Sequence, residues 1–201
     1  MRQKAPPTRK KPFNIENHSY IKGYCCIGTI AVDPHRSVCI KRAFNVDGLS
    51  KGDGAFAMDD LPPDTLLGTY GGFVSVATIN DEIVNPFPDV HPPSHSIKTT
   101  AVHIPTSEEV VAIIDPLSKW NVIDPQFEKC KMHVLNEPGP LQPLNCCYEC
   151  GPPVKVGDYM VKTIRVMTLP EDVINAGAEL CVCYSQDPEF ERNYAVPSFW
   201  R

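Results

Sequence analysis

Three groups of residues in the chain have the types and spacing to do chemistry. In "KGDGAFAMDD", residues 51 to 60, Gly52 and Gly54 flank Asp53, with Ala57 three places on. This is the G-x-G-x-x-A pattern of a loop that lays a pyrophosphate on a helix N-terminus. Cys147-x-x-Cys150 and Cys181-x-Cys183 offer four thiols at short spacing, the number a tetrahedral zinc site takes. Tyr70, Tyr148 and Tyr184 each sit in a short motif, "GTYGG", "NCCY" and "ELCVCY". A phenol supplies a flat apolar face and one hydroxyl, and at neutral pH it adds no charge.

The context narrows each group. A phosphate loop needs a helix directly after its glycines, but "MDDLPPDT" follows here and Pro62-Pro63 stop helical continuation. No acidic residue for a ribose stands about twenty residues on. The glycines read instead as a tight turn between two short strands, "SVCIKRAF" and "AFAM". Such a turn is either a plain hairpin or a place where a ligand approaches bare backbone. The first C-x-x-C has no clear second one, so buried reduced thiols are the simpler reading of the cysteines. His91, His95 and His103 lack regular ligand spacing and read as surface loop histidines, so no metal site is expected. Any one of the tyrosines is either a hydrogen-bonded core residue or a binding wall.

The elements that must position these residues are short and β-rich. A chain of 201 residues is long enough for one domain with a real core. Its 21 prolines are roughly twice the usual frequency, which disfavours long helices. "YCCIGTIAV" reads as a first buried strand or two, and "DLPPDTLLGTYGG" as a proline-marked bend leading into a strand. "IKTTAVHI" and "EEVVAIID" read as strands beyond the irregular "NPFPDVHPPSHS". The last third holds the β-branched run "YMVKTIRVMTL", the bend "PEDVINAGAE" and the short strand "LCVCY".

Charge is unevenly distributed. Five of the 19 basic residues lie in the first eleven positions, leaving 14 against 24 acidic residues in an acidic body. Residues 1 to 17 read as a flexible basic leader, able to touch nucleic acid or an acidic partner. The acidic body suits a basic peptide substrate. No apolar run has the length of a membrane span and no secretory signal is expected, so an intracellular protein is the reading. "TRKKP" has the composition of a nuclear address.

Taken in order, the pieces resemble the SET domain of protein lysine methyltransferases. "KGDGAFAMDDLPPDTLLGTYGG" resembles the opening G-x-G-x-x-A, bend and Y-x-G strand; "HVLNEP" with "PLNCCY" resembles the R-F-x-N-H and P-N-C elements; "AGAELCVCY" resembles the closing G-E-E-L-x-x-x-Y. The resemblance implies a mostly β protein with the β-clip fold: several small sheets, few short helices and a C-terminal pseudo-knot at residues 133 to 137 and 179 to 184. It implies a SET-like catalytic domain over residues 18 to 190, with a variable insert at 73 to 110. A C-terminal tail, 191 to 201, packs near the cofactor.

The function implied is methylation of a protein lysine by S-adenosylmethionine, with a histone tail as the natural first substrate. Gly52, Asp53, Gly54 and Ala55 then line the amino acid end of the cofactor through backbone groups, with Asn136 and Glu137 beside it and Trp200 or Phe190 over the adenine. Tyr184, Tyr148 and Tyr70 wall the lysine channel. Tyr184 stands beside the transferred methyl, and Tyr148 restricts the room for extra methyls, favouring mono- or dimethylation. The chain departs from the pattern at His133, where the family has arginine, and at Glu137, where it has histidine. No post-SET cysteine cluster follows Tyr184. These departures keep a second reading open, a catalytically silent module that binds a peptide or chromatin partner.

Overall fold

A computed structural model describes residues 24–30, 36–44, 48–77, 96–116, 125–127, 130–139, 142–171 and 173–184. The described residues are mostly β: strands β1 (Tyr24–Ile30), β2 (Val38–Phe44), β3 (Ser50–Ala57), β4 (Leu66–Thr69), β5 (Gly72–Ala77), β6 (Ile97–His103), β7 (Glu108–Asp115), β8 (Cys146–Val156) and β9 (Tyr159–Thr168). Helical structure among them is limited to two 3₁₀ turns, Pro125–Phe127 and Lys131–Val134. No helix among them is long and apolar enough to cross a membrane.

Seven strands form one antiparallel sheet in the order β1-β5-β7-β6-β9-β4, with β8 also paired to β9. Strand β9 is long enough to take β8 along its length while its remaining pairings divide between β6 near Tyr159 and β4 near Met167. The end of β7 is buried through four consecutive residues, Ala112 to Asp115. Both faces are therefore covered, one by the main core of Val74, Ile114, Val161 and Val166 and the other in part by Phe127, which meets Phe73 edge to face at 5.0 Å. The sheet curls until its ends meet: a Cβ at Gly28 in β1 would lie 2.6 Å from the Val156 side chain in β8, so only glycine permits that approach.

Segment 73–110, expected as a variable insert, contributes most of β5, all of β6 and the start of β7, and so builds the middle of this sheet. The strands expected at "IKTTAVHI" and "EEVVAIID" are β6 and β7. The leader 1–17, His91, His95, Phe190, Trp200 and the tail 191–201 lie outside the described residues.

The small sheet, β2 with β3, corrects one expectation. Residues 52 to 54 are not the turn between the strands but part of β3, opposite Ala43, Arg42 and Lys41. The reversal falls earlier, before Ser50, where Gly48 has φ +76°. The Asp47-Gly48 pair is a standard hairpin signal in the sequence.

Candidate functional site

The register of the small sheet explains its glycines. Ala43 pairs with Gly52 and Phe44 with Ser50, so Lys51 has no opposite residue and forms a bulge. Gly52 takes φ +95° to make it. A bulge re-aims a side chain, and here the re-aimed group is the Lys51 ammonium. It donates to both carboxylate oxygens of Glu179 at 3.2 Å and to Gln142 Oε1 at 3.0 Å. The Glu179 side chain is 5% exposed, and it accepts further bonds from Asn136 Nδ2 at 2.8 Å and Gln142 Nε2 at 2.7 Å. A buried carboxylate persists only with such partners.

Glu179 lies in a segment that threads between three others. Leu180 N–H donates to Ala55 O, Val182 N–H to Asn136 O, and Cys181 O accepts from Cys146 N–H. Asn136 and Cys181 form a parallel bridge, and Leu180, Cys181 and Val182 are buried. Asn145 holds the segment by its side chain, donating to Glu179 O and accepting from Cys181 N–H, each at 2.8 Å. The stretch "LCVCY", expected as a strand, is thus realised as an extended, single-bridged thread whose partners come from distant parts of the chain.

The crossing brings most of the described sequence-predicted site residues together. Asn136 Nδ2 also donates to Asp53 O at 3.2 Å, so both of its amide hydrogens are committed within the protein. The next residue, Glu137, accepts from Tyr184 N–H at 2.9 Å. Two consecutive residues therefore link the β3 backbone to the tyrosine at the end of the thread. Tyr184 O–H donates to Leu135 O at 2.7 Å, and Tyr70 and Tyr148 meet edge to face with centroids 6.4 Å apart.

The four residues expected along the cofactor differ in what they present. A Cβ on Gly54 would lie 2.9 Å from both Asn136 and Glu179, so protein groups fill that side. Ala55 is buried and its carbonyl is taken by Leu180. Asp53 turns its carboxylate outward to Arg42 at 3.4 Å, an exposed pair of little energetic weight, and offers main chain inward. Among the described residues, nothing lies within 4 Å of where a Cβ on Gly52 would stand.

The three tyrosines share an electrostatic character. Tyr70 is buried, and that burial, then Tyr148, holds its pKa well above the usual phenol value. Burial and then Tyr184 push Tyr148 upward as well. Tyr184, though the residue as a whole is half exposed, is pushed up to about 12 by burial and then by the Glu137 carboxylate. All three are therefore neutral at physiological pH. The Cys130 thiol fixes Tyr70 from both sides, accepting from Gly71 N–H at 3.3 Å and donating to Thr69 O at 3.4 Å. Tyr184 donates its one proton to a main-chain carbonyl, so its lone pairs are oriented to accept from a donor such as an amine.

Sequence reasoning did not single out Lys51, Gln142, Asn145, Glu179 or Cys130. Lys51, Glu179 and Asn145 stand inside the quoted motifs, so that signal was available; Gln142 and Cys130 carry no local pattern. Among the described residues no three His, Cys, Asp or Glu side chains are grouped to hold a metal. Cys181 and Cys146 are instead buried thiols whose pKa values are raised first by burial, Cys181 to about 12. No protein-family model matches the chain, and no curated protein matches it.

Proposed function

We propose that the protein is a SET-type protein lysine methyltransferase using S-adenosylmethionine, with the crossing at Asn136 and Cys181 serving as its pseudo-knot. The observation that carries the reading is the link through two adjacent residues: Asn136 fixes the Asp53 main chain, and Glu137 fixes Tyr184 among neutral phenols. These are the two ends that a transfer from a backbone-bound cofactor to a side-chain amine requires.

The residues fit such a cofactor in two respects. The side of Gly52 that the described residues leave open admits a ligand, although the Gly52 N–H itself donates to Ser50 Oγ at 3.2 Å, and the phenols offer a neutral, partly apolar wall to a sulfonium. Gly52 and Asp53 would hold the amino acid end, with Asn136 acting on Asp53 rather than on the ligand. When bound, S-adenosylmethionine supplies an electrophilic methyl group. The protein's own task is to position a lysine amine whose proton has passed to solvent. At neutral pH that deprotonation costs roughly 4 kcal/mol from the ordinary lysine value, and burial against phenols reduces it by disfavouring the ammonium. The Tyr184 oxygen, its proton held by Leu135 O, accepts a hydrogen bond from the amine and orients its lone pair.

Transfer of labelled methyl groups to core histones and to a cell extract tests the reading directly, with incorporation into lysine as the expected result. The filled side of Gly54 and the committed amide of Asn136 favour one competing reading, a silent module that binds a peptide. Thermal shift separates the two. Cofactor at a hundred times its dissociation constant stabilises a true site by about 2.7 kcal/mol, and a flat titration supports the silent module.

A further inference from the structure

The small sheet of β2 and β3 has one edge that no strand among the described residues covers. Strand β3 turns its far side to other segments: Leu180 N–H donates to Ala55 O, Ala57 N–H donates to Ala178 O, Gly177 N–H donates to Ala57 O, and Asn136 Nδ2 donates to Asp53 O. Opposite residues of an antiparallel pair alternate between hydrogen-bonded and non-bonded pairs. Asp53, Ala55 and Ala57 bond away from β2, so their pairs with Arg42, Ile40 and Val38 are the non-bonded ones, and those three residues turn their own N–H and C=O outward. The Val38 carbonyl accepts from Lys131 Nζ. No described residue takes the main-chain groups of Ile40 and Arg42, which present an N–H and a C=O at every second residue, as a strand addition requires. The side chains leave this edge clear. Arg42 leans back to Asp53 at 3.4 Å and Lys41 lies 5.7 Å from the centre of the Phe56 ring. Ile40 and Phe44, on the same face as Arg42, are apolar and exposed. Strand β8, paired only with β9 among the described strands, is blunted by Pro152 and Pro153; β2 carries no proline.

We infer that the outer edge of β2 is a docking site for an extended, acidic segment of a partner protein, which joins the small sheet as a third strand. Charge decides the occupant. Of the cations along this edge, Lys41, Arg42 and Lys131, only Arg42 has a carboxylate partner among the described residues, Asp53, so the edge is positive in a chain of net negative charge. A second copy of the chain is disfavoured, because β2 laid against β2 sets Lys41 and Arg42 opposite cations of the same kind. A strand that alternates acidic and apolar residues answers both faces. Its apolar side chains cover Ile40 and Phe44, and its carboxylates lie on the other face with Lys41. Main-chain bonds to Ile40 and Arg42 hold it in register. The inference is independent of the methyltransferase reading and stands whether or not the chain transfers methyl groups.

The test is fluorescence polarisation of the full chain with a labelled peptide of about six residues, a typical strand length, alternating glutamate and valine. Two control peptides accompany it, one with alternate main-chain nitrogens methylated so that edge bonds cannot form, the other with lysine in place of glutamate. The glutamate peptide is expected to bind saturably, the methylated one about fivefold more weakly or worse, and the lysine one not at all. Ile40→Pro removes an outward N–H without cutting the β2–β3 ladder, and Lys41→Glu reverses a charge; each is expected to weaken the glutamate peptide about fivefold or more. No saturable binding by the wild type, or equal affinity for either control peptide, overturns the inference. So does concentration-dependent dimerisation, seen by sedimentation, that Ile40→Pro abolishes, since it gives the edge to a second copy. If Ile40→Pro does not fold, Lys41→Glu and the methylated peptide decide: weakening by both supports the inference, and full affinity in either overturns it.

Discussion

Lys51 and Tyr184 lie on either side of the same crossing, yet their surroundings are of opposite kinds. Around Lys51 every formal charge is answered: the ammonium, the Glu179 carboxylate and the amides of Asn136 and Gln142 form a closed set of bonds. Around Tyr184 the groups are neutral phenols with raised pKa values, and the carboxylate of Glu137 stands among them. A closed polar set holds main chain in place and has little left to offer a ligand, whereas phenols with oriented lone pairs can still accept one. On the proposed reading the first region is architecture and the second is where a ligand is met.

Glu179→Ala is the strongest way to break this contrast. It leaves the part-buried Lys51 ammonium without its counter-ion, and up to about 3 kcal/mol of stability is expected to be lost, read as a fall in the urea midpoint. A normal midpoint would show the network to be decorative. Tyr184→Phe should do the reverse. The loss of one hydrogen bond to Leu135 O costs about 1 kcal/mol, while kcat falls about a hundredfold or more; full activity in this variant assigns the chemistry elsewhere.

The two glycines sharpen the comparison within a single strand. Gly54→Ala pushes a methyl into Asn136 and Glu179 and is expected to cost about 1–3 kcal/mol by overpacking. Gly52→Ala meets none of the described residues but must hold φ +95°, a strain of about 1–2 kcal/mol. Its larger effect is expected on S-adenosylmethionine affinity, measured by calorimetric titration. Equal affinity in Gly52→Ala and the wild type removes that side of Gly52 from the cofactor site.

The mildest perturbation is alkali. The buried thiols Cys146 and Cys181 and the three phenols keep their protons in the fold to higher pH than in the unfolded chain, whose ordinary values are 9.0 and 10.0. Above those values the unfolded chain binds fewer protons than the folded one, so stability falls as pH rises. The urea midpoint should be insensitive to these groups below pH 9.0 and decline from there toward about 12, and a decline already present between pH 7 and 8 would place the sensitive groups elsewhere.

Local pattern was a good guide where a residue's neighbours in sequence decide its state. The β-branched run at Tyr159–Thr168 and the alternating "IKTTAVH" are strands because such side chains suit a pleated, half-buried surface. The same logic failed at Gly52 and Gly54, which mark a bulge and a crowded contact rather than a turn. Glycine announces that a side chain cannot be accommodated, and it does not announce why. Strand β8 carries Pro152 and Pro153 where its register shifts, a position that tolerates proline.

The sequence by itself determined a mostly β protein with short elements, an acidic body and three tyrosines in separate motifs, because composition and short-range periodicity act within a few residues. Only the tertiary structure decided that Lys51 answers Glu179 and that the thread at 180–182 runs between Ala55, Asn136 and Cys146. It also decided that Glu137 and Tyr184 are bonded neighbours. Those partners are separated by dozens of residues or more, and what joins them is the need to satisfy buried polar groups, a condition that exists only once the chain has closed around them.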